Sequence, residues 1–289
     1  MAEEVVQAIE ACCARSFRRV FPPRFSFRRM AEEFVSERRC REQLALARRC
    51  LPFDLVGKRV LEIGSAYGMM LAVARLELGV EAFGVEPGEK FEGTFALSGR
   101  VLSGLGIDPG IVRQGTGEAI PYESGSFDVV FSWNVLEHVA DPAKVFAESV
   151  RVLRPGGCLF FVFPNYGSWW EGHYGILWWP DLPRGLAKAY VRLLGRDPAF
   201  VDTLQLLNRR RIEQCLAPLE GSVRVREWGT AIWEERLRTL DVADWALLAR
   251  LRKIVRWVKA LGLTELVIRL GRRLSWETPF VLVVEKTSP

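Results

Sequence analysis

The chain has 289 residues, 49% of them hydrophobic and 26% charged, with a formal net charge of +5. This composition excludes a collagen-like repeat, a disulfide-stapled miniprotein and a wholly disordered tail, and the length suffices to bury a full core. The charge is uneven: residues 1–50 carry eleven arginines against seven acids, residues 236–275 carry ten lysines and arginines against three acids, and the stretch between is net acidic. Basic flanks around an acidic centre point to an anionic surface or substrate near the flanks, not to a uniformly basic nucleic-acid binder.

Residues 1–57 are expected to form an Arg-rich helical cap, broken at Pro22-Pro23. Arg59–Ile63 is a short apolar run ending at Gly64 and reads as a buried strand. Gly68–Leu78 reads as a helix, Glu81–Val85 as a strand ending at Glu86-Pro87, and Phe91–Leu105 as a second helix. Ile111–Arg113 carries a weak strand signal and Phe127–Trp133 a clear one. Pro142–Leu153 reads as a helix stopped by Arg154-Pro155-Gly156-Gly157, and Cys158–Phe163 as another buried strand. Past Pro164 the alternation ends. Residues 164–221 form a Trp- and Arg-rich insertion, Ser222–Trp228 alternates like a strand, residues 230–276 form a helical insertion, and Phe280–Glu285 is a final strand. Near-continuously apolar strands alternating with helices define an α/β fold with a doubly wound, mostly parallel sheet covered on both faces. Ligands bind such sheets beyond the C-terminal strand ends, near the switch in strand order.

Six cysteines (Cys12, Cys13, Cys40, Cys50, Cys158 and Cys215) contain no CxxC pair, and only two histidines stand beside them, so no metal is expected. Cys158, inside the fifth strand, reads as core. The N-terminus lacks the basic start and apolar run of a signal peptide, and no apolar stretch reaches about 18 residues. Reduced thiols in a cytoplasmic protein are the expectation.

The strongest chemical signal is Val60-Leu61-Glu62-Ile63-Gly64-Ser65-Ala66-Tyr67-Gly68, a strand running through a glycine turn into a helix. Glycine permits positive φ and close approach of a ligand to the backbone. The GxxxG spacing is not the GxGxxG that cradles a pyrophosphate, so a dinucleotide dehydrogenase fits poorly. Glu86 ends the next strand, 22 residues after Gly64, where a carboxylate can accept hydrogen bonds from both ribose hydroxyls of a nucleoside.

Three further segments follow in order: Gln114–Phe127 (QGTGEAIPYESGSF), Ser132-Trp133-Asn134-Val135-Leu136-Glu137-His138-Val139, and Leu153-Arg154-Pro155-Gly156-Gly157. Together with the glycine turn they resemble the class I S-adenosylmethionine-dependent methyltransferases, in the small-molecule branch related to ubiquinone-biosynthesis methyltransferases. The resemblance covers about residues 58–165 and the last strand. It implies a seven-stranded Rossmann-like methyltransferase fold, helical insertions over the active site, and S-adenosylmethionine as cofactor with S-adenosylhomocysteine as product. It also implies that Glu62, Gly64, Ser65, Ala66, Tyr67 and Gly68 hold the methionine part, and that Glu86, with Pro87 beside it, binds the ribose. Thr116, Gly117 and Glu118 would lie beside the adenine, and Ser132, Trp133 and Asn134 near the sulfonium. The family usually has an acid where Thr116 stands; Glu118, two positions on, is the candidate substitute.

No Asn/Asp-Pro-Pro-aromatic element follows the fourth strand, so methylation of an exocyclic base amine is not indicated, and no paired-glutamate loop of the protein-arginine type is present. His138 reads either as a residue ordering a helix start or as a general base. His173 reads either as loop structure or as a base or substrate ligand, since a neutral imidazole can take a hydroxyl proton near pH 7. His173 is the preferred base, because His138 belongs to a common family segment; Glu171 or Glu137 could orient either ring. Trp169, Trp170, Trp178 and Trp179 suit an apolar ligand, a sugar or a membrane interface, or else pack the insertion on the core. Arg184, Arg192, Arg196, Arg209, Arg210 and Arg211 either fork a phosphate or face solvent. Over 245–261, Leu247, Leu251, Ile254, Val258 and Leu261 oppose Arg252, Lys253, Arg256 and Lys259, in a helix that either faces the core or meets anionic lipid headgroups.

The expected function is methyl transfer to a small-molecule acceptor, foremost an oxygen of an apolar, glycan or lipid-linked natural product, with carbon and nitrogen open. An RNA methyltransferase and a non-catalytic cofactor-binding partner subunit are the alternatives. A peripheral membrane contact is an expected partner; nucleic acid is not.

Overall fold

Serines begin two of the N-terminal helices: Arg29 N–H and Arg39 N–H donate to Ser26 Oγ and Ser36 Oγ at 3.1 and 3.3 Å. The cap consists of α1 (Glu3–Phe17), α2 (Phe27–Phe34) and α3 (Glu37–Cys50). Val5, Ile9 and Cys13 of α1 and Leu44 and Ala47 of α3 join one hydrophobic cluster with Leu71, Phe131 and Phe160, so the cap shares the core of the sheet. This computed structural model describes residues 1–21, 25–88, 93–240 and 249–287, and the sequence readings at Pro22-Pro23, Phe91 and Leu247 lie outside the described residues.

Five strands run parallel: β1 (Arg59–Ile63), β2 (Glu81–Glu86), β3 (Val112–Gln114), β4 (Phe127–Trp133) and β5 (Leu153–Phe163). Helices α4 (Met69–Leu78), α5 (Thr94–Gly104) and α6 (Pro142–Val152) return the chain between them. Asp141 caps α6 by accepting from Ala143 N–H and Lys144 N–H, with Pro142 at its first turn. The small hairpin β6 (Trp170–Glu171) and β7 (Ile176–Leu177), with α7 (Arg184–Leu193) and α8 (Arg209–Leu216), makes up the first insertion. Then β8 (Val223–Glu227) enters the sheet, α9 (Thr230–Thr239), α10 (Ala249–Ala260) and α11 (Thr264–Leu274) follow, and β9 (Phe280–Lys286) completes it. The order is β3-β2-β1-β4-β5-β9-β8, with β9 antiparallel to both neighbours. This is the seven-stranded, doubly wound methyltransferase fold expected from the motifs.

Side chains alternate between two cores, as the period of a strand requires. Cys158, Phe160 and Val162 of β5 enter the cluster under the cap, and Leu159, Phe161 and Phe163 enter the opposite one with Leu61, Phe146 and Leu282. Cys158 is fully buried, as a core position should be.

Three details differ from the sequence reading. The Arg154–Gly157 stretch does not stand outside β5: Leu153 already pairs with Phe127, and the register then jumps to Val129 opposite Cys158, so the expected turn is a bulge within the strand. The apolar side expected of the basic helix does not face inward as a whole. In α10 Val255 is buried and Leu251 and Val258 are half-buried, while Ile254 and Trp257, and Leu261 just past its end, are exposed. The third difference concerns the arginines of the first insertion. Arg184 donates to the carbonyls of Val201 and Leu204, Arg209 pairs with Glu277 and lies 4.4 Å over Trp228, and Arg211 donates to Leu206 O. These three act as internal ties, neither phosphate forks nor bare solvated charges.

The first insertion has a core of its own, with Tyr166, Tyr174, Trp178, Val191 and Leu204 packed together, and Val20 of the cap joins it. Trp170 and Trp178 are buried and Trp169 and Trp179 exposed, so adjacent indoles take opposite sides. Among the described residues no helix is long and apolar enough to cross a membrane.

Candidate active site

The chain leaves β1 for β2 and β3 on one side and returns as β4 on the other, so strand order switches between β1 and β4. Ile63 pairs with Ser132 there, which sets the Gly64–Gly68 turn beside Trp133 and Asn134. Gly64, Ala66 and Gly68 have φ of 70°, 47° and 75°. A Cβ on Gly64 would stand 2.4 Å from Val135 Cγ2, so the turn passes under the loop after β4 only because residue 64 lacks a side chain. Gly64 N–H and Ser65 N–H donate to Val85 O at 2.9 and 3.3 Å. Tyr67 joins this turn to the cap: its hydroxyl lies 3.8 Å from Cys13 Sγ and its ring meets Phe34 edge-on at 5.3 Å.

Glu86 lies at the end of β2, as expected, with Pro87 half-buried beside it. It also does something its spacing does not reveal: Glu86 Oε2 accepts the Ala66 N–H at 2.9 Å and so fixes the turn. Glu62 is buried with Oε2 unpartnered, and Ser65 Oγ and Trp133 Nε1 are likewise buried without a hydrogen bond. Burial, reinforced by the Glu86 carboxylate, pushes the Glu62 carboxyl up to about 8. Burial pushes Glu86 up to about 7, against the lowering effect of the Ala66 hydrogen bond. Leaving a buried polar group unpaired costs on the order of 1–3 kcal/mol, so these atoms mark the place of a polar ligand. A turn with glycine at 64 and 68, two acids and orphaned donors and acceptors fit S-adenosylmethionine, which carries a positive charge and ribose hydroxyls.

Ser132 is buried, and Asn134 takes a φ of 52° with its N–H donating to Val162 O at 2.7 Å. On the adenine side, the Thr116 carbonyl accepts Ala119 N–H at 3.2 Å, and a Cβ on Gly117 would stand 3.0 Å from Ile63 Cγ2. Glu118 Oε1 accepts Ala140 N–H and Asp141 N–H at 2.8 and 3.4 Å. One oxygen of the candidate adenine acid is therefore committed to the loop entering α6.

His138 and His173, 35 residues apart, meet with Nε2 atoms 3.2 Å apart and rings at 84°. Glu171 is fully buried and accepts from four donors: His173 N–H at 3.1 Å, Tyr174 N–H at 2.6 Å, Tyr166 Oη at 3.4 Å and His173 Nδ1 at 2.7 Å. Of the two acids adjacent in sequence, Glu171 is thus the one that orients a ring, and it leaves His173 Nε2 directed at His138. Burial disfavours the charged form of His173, but Glu171 and then Glu137 outweigh it and hold its pKa above the ordinary imidazole value. Glu137 is fully buried, its oxygens have no hydrogen-bond partner of good geometry among the described residues, and Oε1 stands 3.9 Å from both Nε2 atoms. Burial pushes its carboxyl up to about 7.

One donor atom from each of Glu137, His138 and His173 lies within 4.8 Å of the others, a set that can hold a divalent cation as well as a proton. Linear spacing shows no sign of this trio, which is why the sequence reading expects no metal; the insertion after β5 brings the third member in. Phe200, which the sequence did not single out, covers both imidazoles with its ring 6.0 and 5.4 Å away.

Residues 61–161 match the family model described as a methyltransferase domain. The ubiquinone biosynthesis O-methyltransferase of Hahella chejuensis (strain KCTC 2396) is 39% identical over 107 residues, 37% of this chain and 43% of that protein. An uncharacterized methyltransferase of Mycobacterium sp. (strain JLS) is 36% identical over 145 residues, 49% of this chain and 53% of that protein. The chain thus spans about half the length of the curated relatives it matches. In fold it is similar to the complex between the Haloferax volcanii Trm112 methyltransferase activator and the putative methyltransferase, at a TM-score of 0.50, with 14% identity over 100% of both chains. The sheet, the crevice and these matches define a class I methyltransferase domain, whose cofactor is S-adenosylmethionine. Within that class, residues 61–161 are similar in sequence to the ubiquinone biosynthesis O-methyltransferase of Hahella chejuensis over its matched part.

Proposed function

We propose that this protein transfers the methyl group of S-adenosylmethionine to an oxygen of a small apolar or lipid-linked acceptor. The observation that carries this reading is the linked Glu171–His173–His138 chain at the ligand end of the sheet. S-adenosylmethionine, when bound, supplies a methyl carbon from which a neutral thioether leaves. Glu86 would hold the ribose hydroxyls, and Glu62 with the Gly64–Gly68 turn the methionine part. His173 Nε2 would take the acceptor's hydroxyl proton while the buried Glu171 carboxylate stabilises the imidazolium that forms. The phenyl ring of Phe200 limits water at the imidazoles.

The apolar character of the acceptor is read from the surface nearby. Ile254, Trp257 and Leu261 of α10 and its end, and Leu263, Leu266, Leu270 and Leu274 of α11 and its start, are all exposed at helical spacing. Lys253, Arg256, Arg269 and Arg273 are exposed among them. Trp276, just past α11, contacts Trp169 at 5.5 Å, and Trp169 contacts Trp179 at 5.6 Å, so the exposed indoles adjoin the helix pair. Apolar stripes flanked by cations and indoles suit an anionic bilayer surface, where an apolar acceptor would be concentrated.

Calorimetry on the purified protein is expected to show binding of S-adenosylmethionine and S-adenosylhomocysteine and none of NADH; binding of NADH in preference would sink the reading. In flotation, the protein is expected to rise with phosphatidylglycerol vesicles at low salt and to stay behind with phosphatidylcholine. Trp257→Glu should weaken that association, and no flotation at low salt would remove the membrane part of the proposal.

A further inference from the structure

A cleft of about 720 Å³ opens between the C-terminal turn of α1 and the short 3₁₀ turn Pro198–Thr203 of the first insertion. Its volume is in the range of about 300–1,000 Å³ typical of small-molecule sites. Arg15, Arg18 and Arg19 line it, with Val20, Asp197 and Phe200. Three guanidinium groups stand against one carboxylate, and that carboxylate already accepts the Ala199 N–H at 2.9 Å. Phe200 is the shared wall: the same ring that lines the cleft covers His138 and His173 at 6.0 and 5.4 Å. It also meets Phe17 edge-on at 6.4 Å. The cleft is therefore basic on the cap, apolar along Phe200 and Val20, and separated from the histidine pair by one aromatic ring.

We infer that the acceptor carries an anionic oxygen group, a phosphate or carboxylate, held by Arg15, Arg18 and Arg19 with its apolar body against Phe200, the ring between the cleft and His173. The inference rests on the methyltransferase reading and deepens it by naming the charge of the acceptor. A guanidinium recognises such groups through paired N–H donors, and three of them within five residues make a local field that attracts anions. These arginines also stand where α1 ends, at Phe17, and cations there offset the partial negative charge of a helix C-terminus. A purely structural role predicts lost helix stability and unchanged ligand affinity, so the two roles separate experimentally.

The test uses the full chain saturated with S-adenosylhomocysteine, titrated in the calorimeter with octyl phosphate, octanoate, octyl glucoside and inorganic phosphate. The two octyl anions are expected to bind more tightly than octyl glucoside, and inorganic phosphate more weakly than octyl phosphate because it does not contact Phe200. Both side chains of the double variant Arg18→Gln/Arg19→Gln are exposed in the parent. It should lose about tenfold or more in octyl phosphate affinity, with the affinity for S-adenosylhomocysteine unchanged. A bound membrane headgroup predicts a different pattern, in which flotation with phosphatidylglycerol vesicles falls in the double variant and octyl phosphate affinity does not. That pattern overturns the inference, as does equal binding of octyl glucoside and octyl phosphate. Failure of S-adenosylhomocysteine to bind the parent protein would instead overturn the methyltransferase reading beneath it.

Discussion

Replacing Glu86 with alanine is expected to weaken S-adenosylmethionine binding about 100-fold, because two charge-assisted hydrogen bonds to the ribose contribute on the order of 3 kcal/mol together. The change also removes the acceptor of the Ala66 N–H, the bond that fixes the turn under Val135. Glu86→Gln separates the two effects. Its amide oxygen can still accept from Ala66, so a loss of only about tenfold is expected, as neutral acceptors are weaker partners than carboxylates. Affinity unchanged in Glu86→Ala would refute the ribose role. The same pair of acids predicts a pH dependence. Glu62 and Glu86 are raised to about 8 and about 7 from 4.5 in the cofactor-free fold, mainly by burial. Between those values and 4.5 the folded protein holds protons that the unfolded chain has released. Stability of the cofactor-free protein therefore falls as pH rises from about 4.5 toward 8. A cationic cofactor with ribose hydroxyls favours the ionised carboxylates, so its affinity should rise over the same interval. Calorimetry at pH values across neutrality checks the direction, and Glu86→Gln should flatten the curve.

The strands, the glycine turn and the acid at the end of β2 were legible in the sequence because their signals are local. A strand buried on both faces must be apolar at consecutive positions, so Arg59–Ile63, Phe127–Trp133 and Cys158–Phe163 stand out without any knowledge of their neighbours. A turn that passes 2.4 Å from where a Cβ would meet Val135 demands glycine at 64, and an acid at the end of β2 falls a fixed distance further along the chain. The histidine cluster was legible only as residue types. Glu171 lies two residues before His173, yet nothing in that spacing says that Glu171 would collect four hydrogen bonds or that Glu137 would be left with none. Those facts depend on how the insertion folds back over the end of β4, a contact between segments tens of residues apart. Arg184 illustrates the same limit: its cationic side chain looks like a phosphate ligand until the 3₁₀ turn presents carbonyls to it. The helix at α10 shows the limit from the other side, since the sequence left open whether it faces the core or a lipid surface. Its apolar residues recur at helical spacing, but periodicity identifies a stripe without saying what covers it: of its described members Ile254 and Leu261 are exposed, and Leu251 and Val258 are half-buried.

His173→Ala is expected to lower turnover by roughly 10²–10⁴-fold, the usual contribution of a positioned general base, with little change in S-adenosylmethionine affinity. The separation follows from the geometry. His173 belongs to the insertion, and its hydrogen bonds go to Glu171 and His138, neither of which is among the residues expected to hold the cofactor. If His173 is the base, Glu171 acts through it as a positioning residue. Glu171→Gln would set an amide N–H₂ among four donors, so both a lower melting temperature and a lower kcat are expected, the first by about 1–3 kcal/mol of stability. A melting change without a kcat change in that variant would make Glu171 merely structural. The competing chemistry for the same atoms is a divalent cation held by Glu137, His138 and His173. Dialysis against EDTA distinguishes the two: a base that needs no metal keeps its turnover after chelation. Loss of turnover that returns on adding a divalent cation would assign the trio to the metal and end the case for His173 as the base.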